Sequence, residues 1–377
     1  MTRARDLGIR LGHGTPGPLN AITDVAGVRV GHTTLISGDG PLVVGWGPVR
    51  TGVTVIIPHD GDPWREPVFA GSFTLNGNGE MTGLEWIREN GLLSSVIGLT
   101  NTNSVGTVHE ALVRAAVASP GHGAAWTLPV AGETWDGLLN DIDGFHVRGE
   151  HVTAALAAAS DGPVAEGNVG GGTGMVCHEF KGGIGTASRE LPAAQGGWTV
   201  GALVQANYGD RDQLRIDGAP VGEAIGLEEL SSPYGAHRSP AAAPMGDAGS
   251  IIAIVATDAP LLPHQCERLA RRAAVGAARV GCYASNGSGD IFLAFATGNR
   301  DLAVGHLTAG ARLVVDAAIT PLLLASVEAV EEAIVNSLVA AETMVGRDGN
   351  TAHALPHDRL LEVMGQYGRN PEPRRSV

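Results

Sequence analysis

Hydrophobic and polar positions alternate along the chain in two repeating patterns. Short β-branched runs bounded by Gly and Pro predict strands, whereas apolar residues spaced three and four apart predict helices. The predicted strands are Val28–Ile36, Val43–Ile57, Leu93–Thr100, Trp126–Val130, Trp198–Asn207, Ser250–Thr257 and Asp290–Phe295. The predicted helices are Ser104–Ala118 with Ser104 as N-cap, His151–Ser160, Pro263–Val280, a long helix that runs through Met344 with Pro321 near its start, and Pro356–Gly365. This alternation indicates a layered α/β fold in which helices cover sheets.

Two segments interrupt the pattern. The Gly-dense stretch Gly167–Gly185 predicts tight turns, and the polar, Pro-rich stretch Ser231–Pro244 predicts an exposed loop. An almost wholly apolar strand, Ser250–Thr257, follows soon after this loop. We therefore predict a single domain, residues 1–377, that carries a processing loop, rather than two domains joined by a linker.

Composition supports a large buried core. The chain has 377 residues, of which 44% are hydrophobic. Glycine accounts for 55 residues, about twice its usual share of ~7%. These glycines lack the every-third-residue period of collagen, so they indicate turns and close backbone contacts inside a folded protein.

Charge and cysteine content exclude several classes of protein. Lys and Arg total 25 against 39 Asp and Glu, a net charge of −14, so we expect no nucleic-acid partner. Lys181 is the single lysine, which leaves no Walker-type lysine beside a Gly loop. Cys177, Cys266 and Cys282 are far apart and contain no CxxC pair, so neither a disulfide framework nor a Cys-rich zinc site is expected.

The apolar runs are too short for a membrane span or an export signal. Charges, Gly and Pro interrupt the first twenty residues, and the longest apolar stretch, near Ala317–Val327, contains Pro321. We expect a cytoplasmic protein with no membrane partner.

Other motifs have ordinary structural explanations. Gly12–Gly17 fits GxGxxG, but no strand precedes it and its prolines disfavour the required helix start. His353 and His357 are separated by Pro356, and the adjacent Cys177, His178 and Glu179 would point to opposite faces of a strand. We expect no cofactor and no metal.

The dipeptide Gly249-Ser250 is the most informative candidate. A permissive Gly followed by Ser, after an exposed loop and at the head of an apolar strand, is what a self-cleaving hydrolase requires. Ser250 would attack the preceding carbonyl and become a new N-terminus, whose α-amine (pKa about 7.7–8.0) suits general-base chemistry. Taken alone, however, a Gly-Ser before a strand is more often a turn.

Several further motifs occur in one order along nearly the whole chain. They are the opening Asn20–His32, the run Ala165–Met175, the segment LVQANYG around Asn207, the GDAG sequence before Ser250, and Asn286–Asp290. Together they resemble the DmpA-type aminopeptidases, a family of L-aminopeptidase/D-amidase/D-esterases and β-peptidyl aminopeptidases. The resemblance implies a four-layer αββα sandwich, similar to the N-terminal-nucleophile hydrolases but differently connected.

The resemblance also implies roles for individual residues. Ser250 matches the autocatalytic nucleophile, so cleavage after Gly249 would give an α chain, 1–249, and a β chain, 250–377. Ser288 and Asp290 match the pair that positions and polarises this serine, although some relatives have Glu at position 290. Asn207 matches the oxyanion donor, and Glu133 matches the carboxylate that holds the substrate's free amino group.

These roles are chemically reasonable, although each residue alone would have an ordinary structural explanation. A carboxylate such as Glu133 can form a charge-assisted contact with a substrate N-terminus that an internal peptide bond cannot form. Ser288 and Asp290 are two residues apart, so they share a side if the segment is extended. Asn207 alone would be a strand-end residue.

The activity implied is release of an N-terminal residue from short peptides, amides or esters through an acyl-enzyme on Ser250. We lean toward small N-terminal residues and expect a homo-oligomer of αβ units, a tetramer. One alternative is an autoprocessing acyltransferase resembling the ornithine acetyltransferases, which have Thr at the position of Ser250. Another is a non-catalytic, Gly-rich binding or shell protein.

Overall fold

The computed structural model describes residues 1–120, 126–235, 249–300, 302 and 307–369. Within these ranges the strands are β1 (Arg29–Ser37), β2 (Val49–Ile57), β3 (Val68–Gly77), β4 (Leu92–Leu93), β5 (Ile97–Asn101), β6 (Val130–Thr134), β7 (Val176–Cys177), β8 (Phe180–Lys181), β9 (Gly183–Glu190), β10 (Thr199–Asn207), β11 (Ser250–Thr257), β12 (Gly289–Ala296), β13 (Met344–Val345) and β14 (Thr351–Ala352). The helices are α1 (Leu84–Asn90), α2 (Val105–Ala118), α3 (Gly149–Ala158), α4 (Val221–Ala224), α5 (Pro263–Val280), α6 (Thr320–Val339) and α7 (His357–Gln366).

Two sheets form the centre of the fold. The larger has the strand order β4-β3-β12-β11-β10-β9, and the smaller has the order β1-β2-β5-β6. Strands β11 and β12 run parallel, whereas β10 pairs antiparallel with β11 and β3 pairs antiparallel with β12. The starts of β11 and β12 and the end of β10 therefore lie side by side, at the same end of the strands of the larger sheet.

Alternation of side chains along β11 shows how the two sheets pack. Ile252 and Ile254 lie in the core between the sheets, together with Ile56 and Leu99 of the smaller sheet. The intervening residues, such as Ala253, face the opposite side and pack with the core beneath the helices. Since successive residues of a strand point to opposite faces, Ser250 lies on the same face as Ile252, toward the smaller sheet.

Helices cover the outer face of each sheet. Helix α6 packs on β9 and β10 and helix α5 on β3 and β12, while α2 and α3 pack on the smaller sheet. Val108, Leu112 and Val152 are fully buried in the outer core of the smaller sheet. The order of layers is helix, sheet, sheet, helix, so the predicted αββα sandwich is confirmed.

Several predicted elements coincide with the structure, and others are displaced. Strand β11 and helix α5 have the predicted bounds, and Pro321 lies in the first turn of α6. The long helix ends at Val339, however, and Met344 belongs to β13. Ser104 is the N-cap residue of α2 as predicted, but its side chain makes no capping hydrogen bond.

Three strand predictions were wrong at their boundaries. The run predicted as Leu93–Thr100 is divided between β4, which ends at Leu93 in the larger sheet, and β5, which begins at Ile97 in the smaller sheet. The run predicted as Val43–Ile57 is a strand only from Val49, because Gly45 and Gly47 have positive φ and Pro48 has no N–H to donate. The strand predicted as Trp126–Val130 instead begins at Val130 and continues to Thr134. Of the predicted loop Ser231–Pro244, residues 231–234 are neither helix nor strand, and residues 236–244 lie outside the described residues.

Strands β3 and β9 were not predicted, because glycines interrupt their apolar patterns. These glycines have a packing function. A Cβ at Gly71 would lie 2.4 Å from the backbone nitrogen of Glu267 in α5, and one at Gly185 would lie 1.9 Å from the carbonyl oxygen of Ala333 in α6. Both positions let a helix backbone approach the sheet more closely than any side chain would permit. Part of the glycine excess is therefore explained by close packing of helices on the larger sheet.

Across the described part of the chain, no helix combines the length and the apolar character needed to cross a membrane.

Candidate active site

Ser250 lies where the ends of three central strands of the larger sheet are adjacent. It is the first residue of β11, opposite Asn207 at the end of β10 and opposite Gly289 at the start of β12. The residue is buried, with 4% of its surface exposed. The register therefore brings together three segments that are distant in sequence around one hydroxyl group.

The peptide bond before Ser250 is held from two sides. The backbone N–H of Gly289 donates to the carbonyl oxygen of Gly249 at 3.1 Å. On the other side, a Cβ at Gly249 would lie 3.1 Å from Cα of Tyr208, which is tighter than most side-chain contacts. Lack of space therefore favours glycine at this position.

Ser288 and Asp290 form a buried pair on either side of Gly289. The Ser288 hydroxyl donates to Oδ1 of Asp290 at 2.6 Å, which confirms that the two side chains share a side. Burial raises the pKa of Asp290 to about 6, and hydrogen bonds from Ser288 and the Ile251 amide act in the opposite direction. A carboxylate held in this way is a strong acceptor for the serine hydroxyl.

Two asparagines from the end of β3 fix the loop that contains Ser288. Asn76 donates its side-chain amide to the carbonyl oxygens of Ser285 and Ser288, and Asn78 donates to the carbonyl oxygen of Gly287 at 2.6 Å. Because these contacts satisfy backbone carbonyls, they hold the loop rather than any side chain. Neither asparagine was a candidate from the sequence.

Asn207 is buried and its amide orientation is fixed. Its Oδ1 accepts the backbone N–H of Val176 at 2.8 Å, and its Nδ2 donates to the carbonyl oxygen of Trp135 at 2.9 Å. A side-chain amide nitrogen carries two hydrogens. Among the described residues, the second Nδ2 hydrogen of Asn207 has no partner. Asn207 is also the residue that pairs with Ser250 across β10 and β11.

Glu133 lies on β6, the edge strand of the smaller sheet, and is 3% exposed. Its Oε1 accepts the backbone N–H of Glu80 at 2.9 Å, and its Oε2 accepts the hydroxyl of Thr102. Burial raises the pKa of this carboxyl, and the two hydrogen bonds oppose that effect. An ionised carboxylate has about four acceptor positions, so two are not used by the described residues and can accept from a cationic group.

Gly79 connects Glu133 with the segment next to Ser250. A Cβ at Gly79 would lie 3.2 Å from Oε1 of Glu133 and 3.0 Å from Cα of Gly289. Both groups therefore lie close to one point, and Gly289 is the strand partner of Ser250. Gly79 and Glu80 also line a cavity of about 360 Å³ whose other walls include Met81, Trp86, Leu128 and Ile291.

The structure thus places close together all the site residues that the family resemblance implied. The sequence reasoning missed Thr102, the N–H groups of Gly289 and Val176, and the asparagines that hold the Ser288 loop. The only sequence signal for them was proximity to predicted residues: Gly289 lies between Ser288 and Asp290, and Val176 lies in the Gly-dense stretch.

The motif Cys177-His178-Glu179 has a structural role in the described fold. The three residues are buried around the turn between β7 and β8, where His178 and Glu179 have positive φ. Burial lowers the pKa of His178 to about 3, and its Nδ1 contacts the carbonyl oxygen of Asp210. The described residues contain no cluster of three or more His, Cys, Asp or Glu suited to a metal ion.

An αββα sandwich with a serine at the head of a central strand defines a class of protein, the hydrolases with the N-terminal-nucleophile fold. The comparisons with known proteins place the chain more closely. It belongs to peptidase family S58, whose model matches residues 20–352.

Similar proteins extend over nearly the full chain. A β-peptidyl aminopeptidase, BapA of Sphingosinicella microcystinivorans, is 51% identical over 374 residues, which cover 97% of this chain and 93% of the relative. A β-aminopeptidase structure from Burkholderia sp. has a TM-score of 0.89 at 54% identity, covering 98% of this chain and 100% of the other. The L-aminopeptidase D-Ala-esterase/amidase of Ochrobactrum anthropi, described as a variant of the Ntn hydrolase fold, has a TM-score of 0.87 at 44% identity, covering 98% and 99% of the two chains.

These matches confirm the family resemblance and the enzyme class. The chain is an aminopeptidase, a hydrolase that acts on peptides, and the family match supports this activity rather than the acyltransferase alternative.

Proposed function

We propose that the chain cleaves itself between Gly249 and Ser250 and that Ser250, as the new N-terminus, is the nucleophile of the aminopeptidase. The products are an α chain, residues 1–249, and a β chain, residues 250–377. The observation that carries this proposal is the hydrogen bond from the Gly289 N–H to the Gly249 carbonyl oxygen at 3.1 Å. A donor on that oxygen stabilises the negative charge that develops when the carbonyl carbon is attacked.

Self-cleavage requires one attack and one hydrolysis. The Ser250 hydroxyl adds to the Gly249 carbonyl carbon, the C–N bond breaks, and the serine proton goes to the leaving nitrogen, which gives an ester and a free amine. Water then hydrolyses the ester and releases the carboxyl group of Gly249. Ser288, which donates to Asp290, is suited to hydrogen-bond the Ser250 hydroxyl and direct this proton transfer.

The same serine then acts on substrates. Its free α-amine has a reference pKa of about 7.7–8.0, so near neutral pH it can accept the hydroxyl proton during attack and return it to the leaving amine. The bond between the Ser250 oxygen and the substrate carbonyl carbon forms as the scissile C–N bond breaks. Water then hydrolyses this acyl-enzyme.

Asn207 is proposed as the oxyanion donor for substrate turnover. Its Oδ1 and one Nδ2 hydrogen already have partners, Val176 and Trp135, so the amide is fixed before substrate binds. A donor that is oriented in advance stabilises a developing oxyanion without a cost of reorganisation.

Glu133 is proposed to bind the substrate's ammonium group. A buried carboxylate is costly without a counter-charge, and its raised pKa reflects that cost. A protonated substrate amine would offset the cost, whereas a blocked N-terminus would leave the carboxylate unpaired. This difference explains why the enzyme would act at the N-terminus of a peptide, as an exopeptidase, and not at internal peptide bonds.

We infer a β-peptidyl preference, as in the relatives that carry this name. The cavity of about 360 Å³ beside Gly79 and Glu80 leaves room for the side chain of the N-terminal residue. Trp86 and Met81 in its walls favour an apolar side chain. The cavity volume exceeds what the small side chains expected from the sequence would fill, so larger side chains should also fit.

We also propose that the αβ unit assembles into a cytoplasmic homo-oligomer, a tetramer, with no nucleic-acid or membrane partner. The net charge of −14 disfavours phosphate binding. Val43, Val44 and Trp46 expose apolar side chains on one loop, with Trp46 84% exposed, which favours a protein contact there.

Four substrates given to the wild-type enzyme test the proposed activity. They are the p-nitroanilides of β-homoalanine, L-alanine, D-alanine and N-acetyl-L-alanine. We expect hydrolysis of the three with a free amine, fastest for the β-residue, and none of the acetylated compound. Equal rates with and without the acetyl group would contradict the role of the ammonium contact. Acetyl transfer to ornithine, measured in parallel, would instead support the acyltransferase.

A further inference from the structure

Lys181, the single lysine of the chain, is fully buried at the end of the short ribbon formed by β7 and β8. No ion pair to this side chain is present within the described residues. A buried ammonium without a carboxylate is unusual, because desolvation of the charge must be offset by other contacts. The hydrogen-bond partners of the Lys181 ammonium therefore indicate the role of this side chain.

Three backbone carbonyl oxygens surround the Lys181 ammonium. Its Nζ donates to Met175 and Gly182 at 2.8 Å each and to Gly172 at 3.3 Å. All three carbonyls belong to the segment 172–182, which turns back on itself around the charge. An ammonium has three N–H donors, so the three carbonyls use its full capacity.

The same segment makes the contact that orients Asn207. Val176, next to Met175, donates its N–H to Oδ1 of Asn207 at 2.8 Å. The Met175 sulfur in turn accepts the hydroxyl of Thr134, the neighbour of Glu133, at 2.8 Å. Met175 and Val176 thus contact the strand that contains Glu133 on one side and Asn207 on the other. The Lys181 ammonium binds the backbone of the same segment.

We propose that Lys181 is a positioning residue: its ammonium fixes the backbone of segment 172–182 so that the Val176 N–H holds the Asn207 amide in the orientation for oxyanion binding. The inference rests on the proposed function of Asn207. Lys181 itself touches neither Ser250 nor the substrate, and it acts through Met175 and Val176.

The two protonation states of Lys181 differ in how well they can fill this role. Burial lowers the pKa of Lys181 to about 7, and the titratable group that opposes this shift is the Cys177 thiol. A neutral amine has only two N–H donors, so its deprotonation leaves one of the three carbonyls without a partner. The ammonium form is therefore the form that completes the contacts of the segment.

A double-mutant cycle with Lys181→Met and Asn207→Ala tests the proposal, with kcat measured per processed chain. Methionine preserves the length and burial of the side chain but donates no hydrogen bond. We expect Lys181→Met to lower kcat by about tenfold to a hundredfold, as for misplacement by about 1 Å, with KM little changed. In the Asn207→Ala background the same change should cost almost nothing, because the amide that Lys181 orients is absent.

Leu112→Ala is the control for general loss of stability. Leu112 is fully buried in α2, in the outer core of the smaller sheet, which contains no residue of segment 172–182. Its truncation should lower the unfolding temperature without changing kcat. A wild-type kcat for Lys181→Met, or independent losses that multiply in the double variant, would overturn the inference. A wild-type kcat for Asn207→Ala would instead contradict the proposed function.

A crystal structure of Lys181→Met tests the geometry even if this variant is not processed. We expect the Val176 nitrogen and Asn207 Oδ1 to separate beyond hydrogen-bond distance. An unchanged contact of 2.8 Å would overturn the proposal.

Discussion

Gly289 donates its backbone N–H to the carbonyl oxygen of Gly249, across the parallel pair β11 and β12, at 3.1 Å. The same residue lies between Ser288 and Asp290, whose side chains hydrogen-bond to each other. One turn of backbone therefore presents a donor to the proposed scissile carbonyl and holds the polar pair beside the proposed nucleophile. The position has little tolerance for change, because a Cβ there would lie 2.5 Å from the carbonyl oxygen of Asn78.

Gly289→Ala should slow self-cleavage strongly. The added methyl group must displace the backbone of Asn78 or Gly79, so the N–H of residue 289 moves away from the Gly249 carbonyl. Loss of a single oxyanion donor typically costs about 10²–10³ in rate. The measurement is the fraction of full-length chain over time on a denaturing gel. Gly310→Ala, at a position with no atom within 4 Å of the added Cβ, should be processed normally.

Glu133→Gln should raise KM for substrates with a free amine and lower kcat/KM by about tenfold or more, since a charge-assisted contact becomes a neutral one. Glutamine keeps the size of the side chain and a carbonyl oxygen for the Glu80 N–H. Glu89→Gln, which removes an exposed charge from the nearby helix α1, should leave both constants unchanged. An unchanged KM for Glu133→Gln would exclude this carboxylate as the ammonium site.

Asp290→Asn should make the protein more stable at pH 8 and less active. Burial raises the pKa of Asp290 from 3.8 to about 6, so between these values the folded chain binds more protons than the unfolded chain. The free energy of unfolding therefore falls as the pH rises through this window, and the cost persists above it. Asparagine removes the cost, but it also removes the charged acceptor for Ser288.

Thermal unfolding at pH 5 and pH 8 checks this prediction, together with kcat at pH 8. The gain in unfolding temperature for Asp290→Asn should be larger at pH 8. Asp258→Asn, in a half-buried carboxylate just beyond the far end of β11, should retain kcat. If Asp290→Asn were less stable than wild type at pH 8 and fully active, both the expected gain in stability and the expected loss of activity would be contradicted.

Local sequence predicted the elements that surround the site better than it predicted their assembly. The run from Ser250 to Thr257 is apolar on both faces, which is typical of a central strand, and it was predicted with the observed bounds. The family resemblance supplied the fold and the candidate residues. Local sequence did not predict the strand order, because Asn207, Ser250 and Gly289 come together only through pairing between segments that are distant in the chain.

The residues that sequence reasoning missed act through their backbone or through long-range contacts. Gly289 and Val176 contribute N–H groups, which every residue except proline has, so residue type gives no signal for them. Strand β9 was hidden because Gly185 is selected by the approach of helix α6 and not by strand propensity. Lys181 was noticed only as the single lysine, and its partners become evident once the ribbon of β7 and β8 is folded.

The most direct test of the account is denaturing electrophoresis with N-terminal sequencing of the purified wild type and of Ser250→Ala, each assayed for aminopeptidase activity. We expect two wild-type bands, with the smaller chain beginning Ser-Ile-Ile at residue 250, and a single, folded, inactive chain for Ser250→Ala. An active wild-type enzyme that runs as one full-length band would contradict it.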